Sequence, residues 1–210
     1  FQKNDQIIAF TGKRFGAYAE YICLPENGKT IPNDCIILKK PANVSMEEAA
    51  TILTRGSLAL HFLKKIDKLE GKKVLIYGAS GGVGTYAIPL AKYFGASVSG
   101  VCSTKNIDLV KSLGADRVFD YTNEDFTNDS EKYDLIFDAV GKKNSSKLKF
   151  NKVLKSDGQF LSVDDGTPKI HFQELEELVN IIETEKIQII IDKIYSLEQI
   201  TEAHEYVEKG

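Results

Sequence analysis

Between Tyr77 and Ala87 the chain reads YGASGGVGTYA, with Gly78, Gly81, Gly82 and Gly84 set among small residues directly after an apolar run. Bare backbone of this kind lets main-chain N–H groups come close to phosphate oxygens. On the dinucleotide pattern G-x-G-x-x-G the key positions fall on Ala79, Gly81 and Gly84, with alanine in place of the first glycine. The second position allows close approach to a pyrophosphate. The third lets helix and strand pack tightly, and the helix start adds free N–H groups and a positive dipole end. Ser80, Gly82 and Val83 complete the turn. Ser80 reads as a phosphate contact, since no histidine and acid are placed to activate it as a nucleophile. A nucleotide-hydrolase phosphate loop needs Gly-Lys followed by Ser or Thr, whereas Gly84 is followed by Thr85 and Tyr86. The alternative is a glycine turn that serves packing alone.

A second group of candidates lies about 20 residues downstream, where NAD sites place an acid on the ribose hydroxyls. Here the chain offers Ser103, Thr104 and Lys105, two hydroxyls and a cation. An acid would repel a 2′-phosphate and these groups can accommodate one, so the expected cofactor is NADP(H). An ordinary polar loop with a solvated lysine is the other reading. No metal site is expected: Cys23, Cys35 and Cys102 are far apart, and His61, His171 and His204 are not at ligand spacing from them. The cysteines read as reduced, mostly packed thiols, and no catalytic residue is assigned.

These residues need a scaffold, and Lys73 to Gly141 supplies one by alternating short β-branched runs with helical patterns. KVLIYG, SVSGVCS, RVFDY and YDLIFDAVG are predicted strands, and GQFLSVDDG a fifth. The connections predict βαβ units, hence a doubly wound parallel sheet of Rossmann type in an α/β fold. Ala87, Leu90, Ala91 and Phe94 mark one helix face after the turn, although Pro89 is expected to interrupt that helix. Leu175, Leu178, Val179 and Ile182 mark another amphipathic helix. The capping box SLEQ opens a last one, with Ile200, Ala203 and Val207 on one face.

Composition excludes several classes. The 210 residues are 42% hydrophobic with a net charge of −3, and the lysines are scattered among acids. Neither a nucleic-acid footprint nor a membrane span of about 20 apolar residues is expected. FQKNDQ lacks the pattern of a signal peptide, so a cytoplasmic location is expected.

A family resemblance rests on consecutive blocks: GAYAEYICLPENG, KPANVSMEEAA, ALHFLKK, KVLIYGASGGVGTYAIPLAKYFGASVSGVCSTKN, LVKSLGADRVFDYTNEDF, YDLIFDAVG and LEQITEAHEYVEKG. They resemble the medium-chain dehydrogenase/reductase superfamily, in its zinc-independent quinone oxidoreductase, or zinc-type alcohol dehydrogenase-like, branch. The resemblance implies a GroES-like β substrate domain built from both chain ends, here incomplete in residues 1–50 and 186–210. Residues 51–185 are then a Rossmann NADP-binding domain. It implies hydride transfer from NADPH to quinones or α,β-unsaturated carbonyl compounds such as enones and alkenals, by a homodimer acting on a small molecule. Ser103 and Lys105 match positions that bind the 2′-phosphate. Tyr121 matches a tyrosine that packs beside it, where the residues alone suggest a core or rim aromatic. Val140 and Gly141 match positions near the cofactor. Leu58 stands where the family has a threonine near the nicotinamide. The alternatives are a zinc-dependent alcohol dehydrogenase whose ligands lie N-terminal to this sequence, and a non-catalytic NADP-binding protein.

Overall fold

A computed structural model describes residues 1–12, 16–25, 35–141, 147–166 and 171–209. Parts of the first and last resemblance blocks, including residues 26–28 and Gly210, lie outside them. Two short strands, β1 (Ile7–Phe10) and β2 (Ile36–Lys39), pair antiparallel from Ile7 opposite Lys39 to Phe10 opposite Ile36. Helix α1 (Met46–Thr51) follows, opened by a capping box in which Ser45 and Glu48 satisfy each other's backbone N–H. A wide π-helical turn over Ile52–Gly56 then leads into α2 (Ser57–Leu63).

The central sheet is built from β3 (Lys73–Tyr77), β4 (Ser97–Cys102), β5 (Arg117–Asp120), β6 (Tyr133–Asp138) and β7 (Leu154–Ser162). Every pairing is parallel, in the order β5-β4-β3-β6-β7. All five predicted strands are present. Val74, Leu75 and Ile76 of β3, and Leu135, Ile136 and Phe137 of β6, are almost wholly buried. Burial on both faces is what near-continuous apolar strands indicate. One face packs α3 (Gly84–Tyr93) through Ala87, Ile88, Leu90 and Ala91, and the same core extends to Ile8, Ile36 and Leu38 of the small sheet. On the other face lie Leu75, Val101, Phe119, Phe126, Phe150 and Val153.

One expectation needs correction. Pro89 does not interrupt α3, which continues to Tyr93. The ring removes one backbone donor at a cost of about 3 kcal/mol, and burial of the neighbouring apolar residues against the sheet offsets it. The capping box SLEQ is present: Ser196 and Gln199 cap a short 3-10 turn (Leu197–Gln199) that leads into the last helix (Ile200–Glu208), whose apolar stripe is not buried, with Val207 75% exposed. In α6 (Phe172–Glu185) the buried stripe is Leu175, Leu178, Ile181 and Ile182, with Val179 only partly covered. α4 (Ile107–Ser112) and α5 (Lys147–Phe150) complete the described helices.

Candidate functional site

β4 and β5 lie on one side of β3, and β6 and β7 on the other. The chain therefore reverses its direction of winding between β3 and β6, and in open α/β sheets the crevice outside the strands' carboxyl ends at such a point takes the ligand. The glycine turn stands there. Its first residues are fixed by β4, because the N–H groups of Gly78 and Ala79 both donate to the Val101 carbonyl, at 3.2 and 3.0 Å. Gly81 N–H donates back to Gly78 O at 3.0 Å, and Thr85 N–H to Gly81 O at 2.9 Å, which closes the turn into α3.

The glycines differ in what they allow. A Cβ on Gly84 would lie 2.2 Å from Gly78 O and 2.7 Å from Ala79 O, so this position packs backbone on backbone. A Cβ on Gly81 would lie 3.3 Å from Gly78 O. One on Gly82 would meet only the Arg55 side chain, at 3.5 Å. Gly81 and Gly82 are exposed, leaving bare backbone open to a ligand. The alanine at the first fingerprint position is accommodated by its neighbour strand: Ala79 is fully buried, and its methyl faces Gly100 of β4, where an added Cβ would sit 3.0 Å away. The residues present thus fit a dinucleotide pyrophosphate.

The structure brings Ser80 and Ser103 together through a residue the sequence did not single out. Asn106 Nδ2 donates to Ser80 Oγ at 3.0 Å and to Ser103 Oγ at 3.3 Å. Both serines act as acceptors in these bonds, which leaves their hydroxyl protons free for an anion. Thr104 is arranged differently. Its hydroxyl donates to Asp120 Oδ2 at 2.6 Å, and Thr122 Oγ1 donates to Asp120 Oδ1 at 2.6 Å. Asn123 Nδ2 adds a third bond, to Oδ2 at 2.7 Å, and Thr122 N–H a fourth, to Oδ1 at 3.0 Å. Donation by Thr104 and then by Thr122 lowers the Asp120 carboxyl to a pKa of about 2. A hydroxyl has one proton, so Thr104 presents only lone pairs outward. Lys105 is exposed and has no ion-pair partner among the described residues. Tyr121, 55% exposed, is a rim aromatic anchored by its N–H to Cys102 O at 3.1 Å.

On the other side of the turn, Val140 approaches Gly78 so closely that a Cβ there would lie 2.4 Å from Val140 Cγ2. The buried carboxylate of Asp138 holds this loop by accepting from Val140 N–H and Gly141 N–H, both at 3.1 Å. Gly141 takes a φ of +111°, which favours glycine. Leu58, on α2, is partly buried against the core. Among the described residues no three His, Cys, Asp or Glu side chains converge.

Asn106, Asp120, Asp138 and Arg55 are the residues that sequence reasoning missed. The run Asp120-Tyr121-Thr122-Asn123 carried a usable signal, since Asp at a strand end followed by polar residues forms side-chain turns. Arg55 carried none.

The fold and the turn are those of a Rossmann-type α/β domain. Comparison with known proteins is specific about its lineage. Residues 82–207 match the zinc-binding dehydrogenase family. A 2-methylene-furan-3-one reductase of Solanum lycopersicum is 34% identical over 210 residues, covering 94% of this chain and 51% of that protein. A chloroplastic NADPH-dependent alkenal/one oxidoreductase of Arabidopsis thaliana is 31% identical over 208 residues, covering 93% and 51%. The solved quinone oxidoreductase from Coxiella burnetii superposes with a TM-score of 0.70 at 26% identity, over 83% of this chain and 62% of that one. The chain belongs to the zinc-binding dehydrogenase family, within the medium-chain dehydrogenase/reductase superfamily. It spans about half the length of these two reductases.

Proposed function

We propose that this chain is the cofactor-binding part of an NADPH-dependent oxidoreductase that reduces quinones or α,β-unsaturated carbonyl compounds. The observation that carries the reading is the turn Ala79–Gly84, set at the sheet's switch point with Gly81 and Gly82 bare and with Ser80 and Ser103 offering hydroxyl protons. NADP(H), when bound, supplies the hydride, and the protein contributes position and polarity. Main-chain N–H groups of the turn and the start of α3 hold the pyrophosphate. Ser103 and Lys105 receive the 2′-phosphate, with Asn106 fixing the serine's rotamer. Thr104, its proton committed to Asp120, accepts a hydrogen bond instead. Val140 and Gly141, tied down by Asp138, form the opposite wall. No described residue is assigned as proton donor, and none is required on the α-carbon if solvent protonates it.

The names of the relatives support the substrate class: reductases of a methylene-furanone and of alkenals and alkenones act on conjugated carbonyl compounds. Residues 51–185 form the cofactor domain in this reading, and 1–50 and 186–210 contribute to a substrate domain. The separate pairing of β1 with β2 supports that division. A cytoplasmic homodimer working without metal is part of the same proposal. Among the described residues no helix is long and apolar enough to cross a membrane. Oxidation of NADPH by full-length protein that carries this chain, with a panel of enones and quinones and with and without a strong chelator, tests the reading. Turnover that persists in chelator is expected. Turnover that is lost and restored by zinc overturns the metal-free assignment, and no turnover with any substrate overturns the function.

A further inference from the structure

We propose that Arg55 is a ligand to the cofactor's pyrophosphate. The inference rests on the dinucleotide reading above and adds a charge to a site that otherwise has only neutral donors at that position. Arg55 belongs to the π-helical turn Ile52–Gly56, where Ser57 N–H reaches back to Ile52 O across five residues. Such turns are rare and often occur at functional sites, because the extra residue re-aims a side chain. Here the re-aimed chain lies along the glycine turn. Its Cγ, Cδ and Nε are each 3.5 Å from where a Cβ on Gly82 would be. The stem therefore covers the bare face of Gly82, and Nε places the guanidinium beside the start of α3.

Arg55 is exposed and its side chain has no hydrogen bond or ion pair among the described residues, so its five N–H donors have no competing carboxylate. A pyrophosphate carries negative charge on both phosphates, and a planar guanidinium matches such oxygens in pairs. The turn's N–H groups and the Ser80 hydroxyl supply dipoles but no net charge. Lys105 lies at the far end of β4, where the 2′-phosphate is expected. The two cations then divide the cofactor, with Arg55 at the bridge common to NADPH and NADH and Lys105 at the phosphate that only NADPH has.

That division gives the test. NADPH, NADH and adenosine 2′-monophosphate are titrated into the wild-type chain and into Arg55→Ala, Arg55→Lys and Lys105→Ala, with thermal melts to confirm that the exposed substitutions leave the fold intact. Arg55→Ala should weaken NADPH and NADH by the same factor, roughly tenfold for an exposed charge-assisted contact. It should leave adenosine 2′-monophosphate unchanged. Arg55→Lys should recover part of the loss, because charge is kept and the fork is not. Unchanged affinity for both dinucleotides, or a loss confined to NADPH, overturns the assignment. If the wild type binds neither dinucleotide, the cofactor reading fails and takes this inference with it. If it binds both and only the Arg55 variants match the wild type, this inference alone fails.

Discussion

Gly84→Ala and Gly82→Ala should separate the two reasons for glycine in the turn. At Gly84 a new Cβ would stand 2.2 Å from Gly78 O and 2.7 Å from Ala79 O. Ordinary contact begins near 3.4 Å, so one pair of atoms must part by about 3.4 − 2.2 = 1.2 Å. Both obstacles are backbone atoms, pinned by the hydrogen bonds from Gly78 and Ala79 to Val101. The strain has no side chain to move, and overpacking of this kind costs about 1–3 kcal/mol. Replacing helical glycine by alanine returns up to about 1 kcal/mol of backbone entropy. With two backbone obstacles the cost falls at the upper end of that range, and a net loss of about 2 kcal/mol corresponds to a fall in Tm of roughly 4–8 °C for a chain of this size. At Gly82 the new Cβ meets only Arg55, at an ordinary 3.5 Å. Stability should then change by no more than about 0.5 kcal/mol, while the added methyl fills the space between the turn and the Arg55 stem and restricts how the guanidinium can reach a pyrophosphate. Differential scanning fluorimetry and NADPH titration on the two variants read both effects. Gly84→Ala should melt lower and bind weakly, and Gly82→Ala should melt with the wild type and bind weakly. Wild-type melting of Gly84→Ala, or wild-type affinity in Gly82→Ala, would refute the reasoning at the corresponding position.

Two other expectations follow from the end of β4. Lys105→Ala should weaken NADPH about tenfold, the low end for an exposed charge-assisted bond, and leave NADH unchanged, while Ser103→Asp should favour NADH by repelling the 2′-phosphate. Calorimetric titration of both cofactors checks this, and equal loss for both in Lys105→Ala removes the lysine from that role. Asp120 titrates from an ordinary 3.8 when unfolded to about 2 when folded. A lowered carboxyl contributes stability that is complete above the unfolded value and disappears as pH falls through the folded one. The stability gap between wild type and Asp120→Asn, from urea denaturation, should be present near pH 6 and narrower near pH 3. A gap that is constant or widens on acidification contradicts the hydrogen-bonded carboxylate.

The sheet was legible because its information is local. Runs such as KVLIY and YDLIFD are buried on both faces and carry their signal in every residue, and the alternation with helices fixes a parallel order. The glycine turn was legible because one strand-turn-helix unit contains it. What was not legible depends on residues that the fold joins across long stretches of chain. Asn106 meets Ser80 across 26 positions, and Thr104 meets Asp120 across 16, through the pairing of β4 with β5. The triplet Ser103-Thr104-Lys105 read as two hydroxyls and a cation, and only the placement of Asp120 shows that the proton of one hydroxyl is already committed. Pro89 misled for a related reason: local propensity argues for a break, and burial of α3 on the sheet overrides it. The stripe Ile200, Ala203 and Val207 forms a helix as its period predicts, yet no residue of that helix is buried, since periodicity does not reveal whether a partner surface is within reach.

Transfer of deuterium from NADPH labelled at the reactive C4 position to an enone, followed by NMR of the product, tests the proposed function most directly. Full-length protein that carries this chain should deliver the label to the β-carbon, with the α-carbon proton drawn from solvent. Label on the carbonyl carbon would mark alcohol dehydrogenase chemistry, and cofactor oxidation with no label in the product would contradict hydride transfer to this class of substrate.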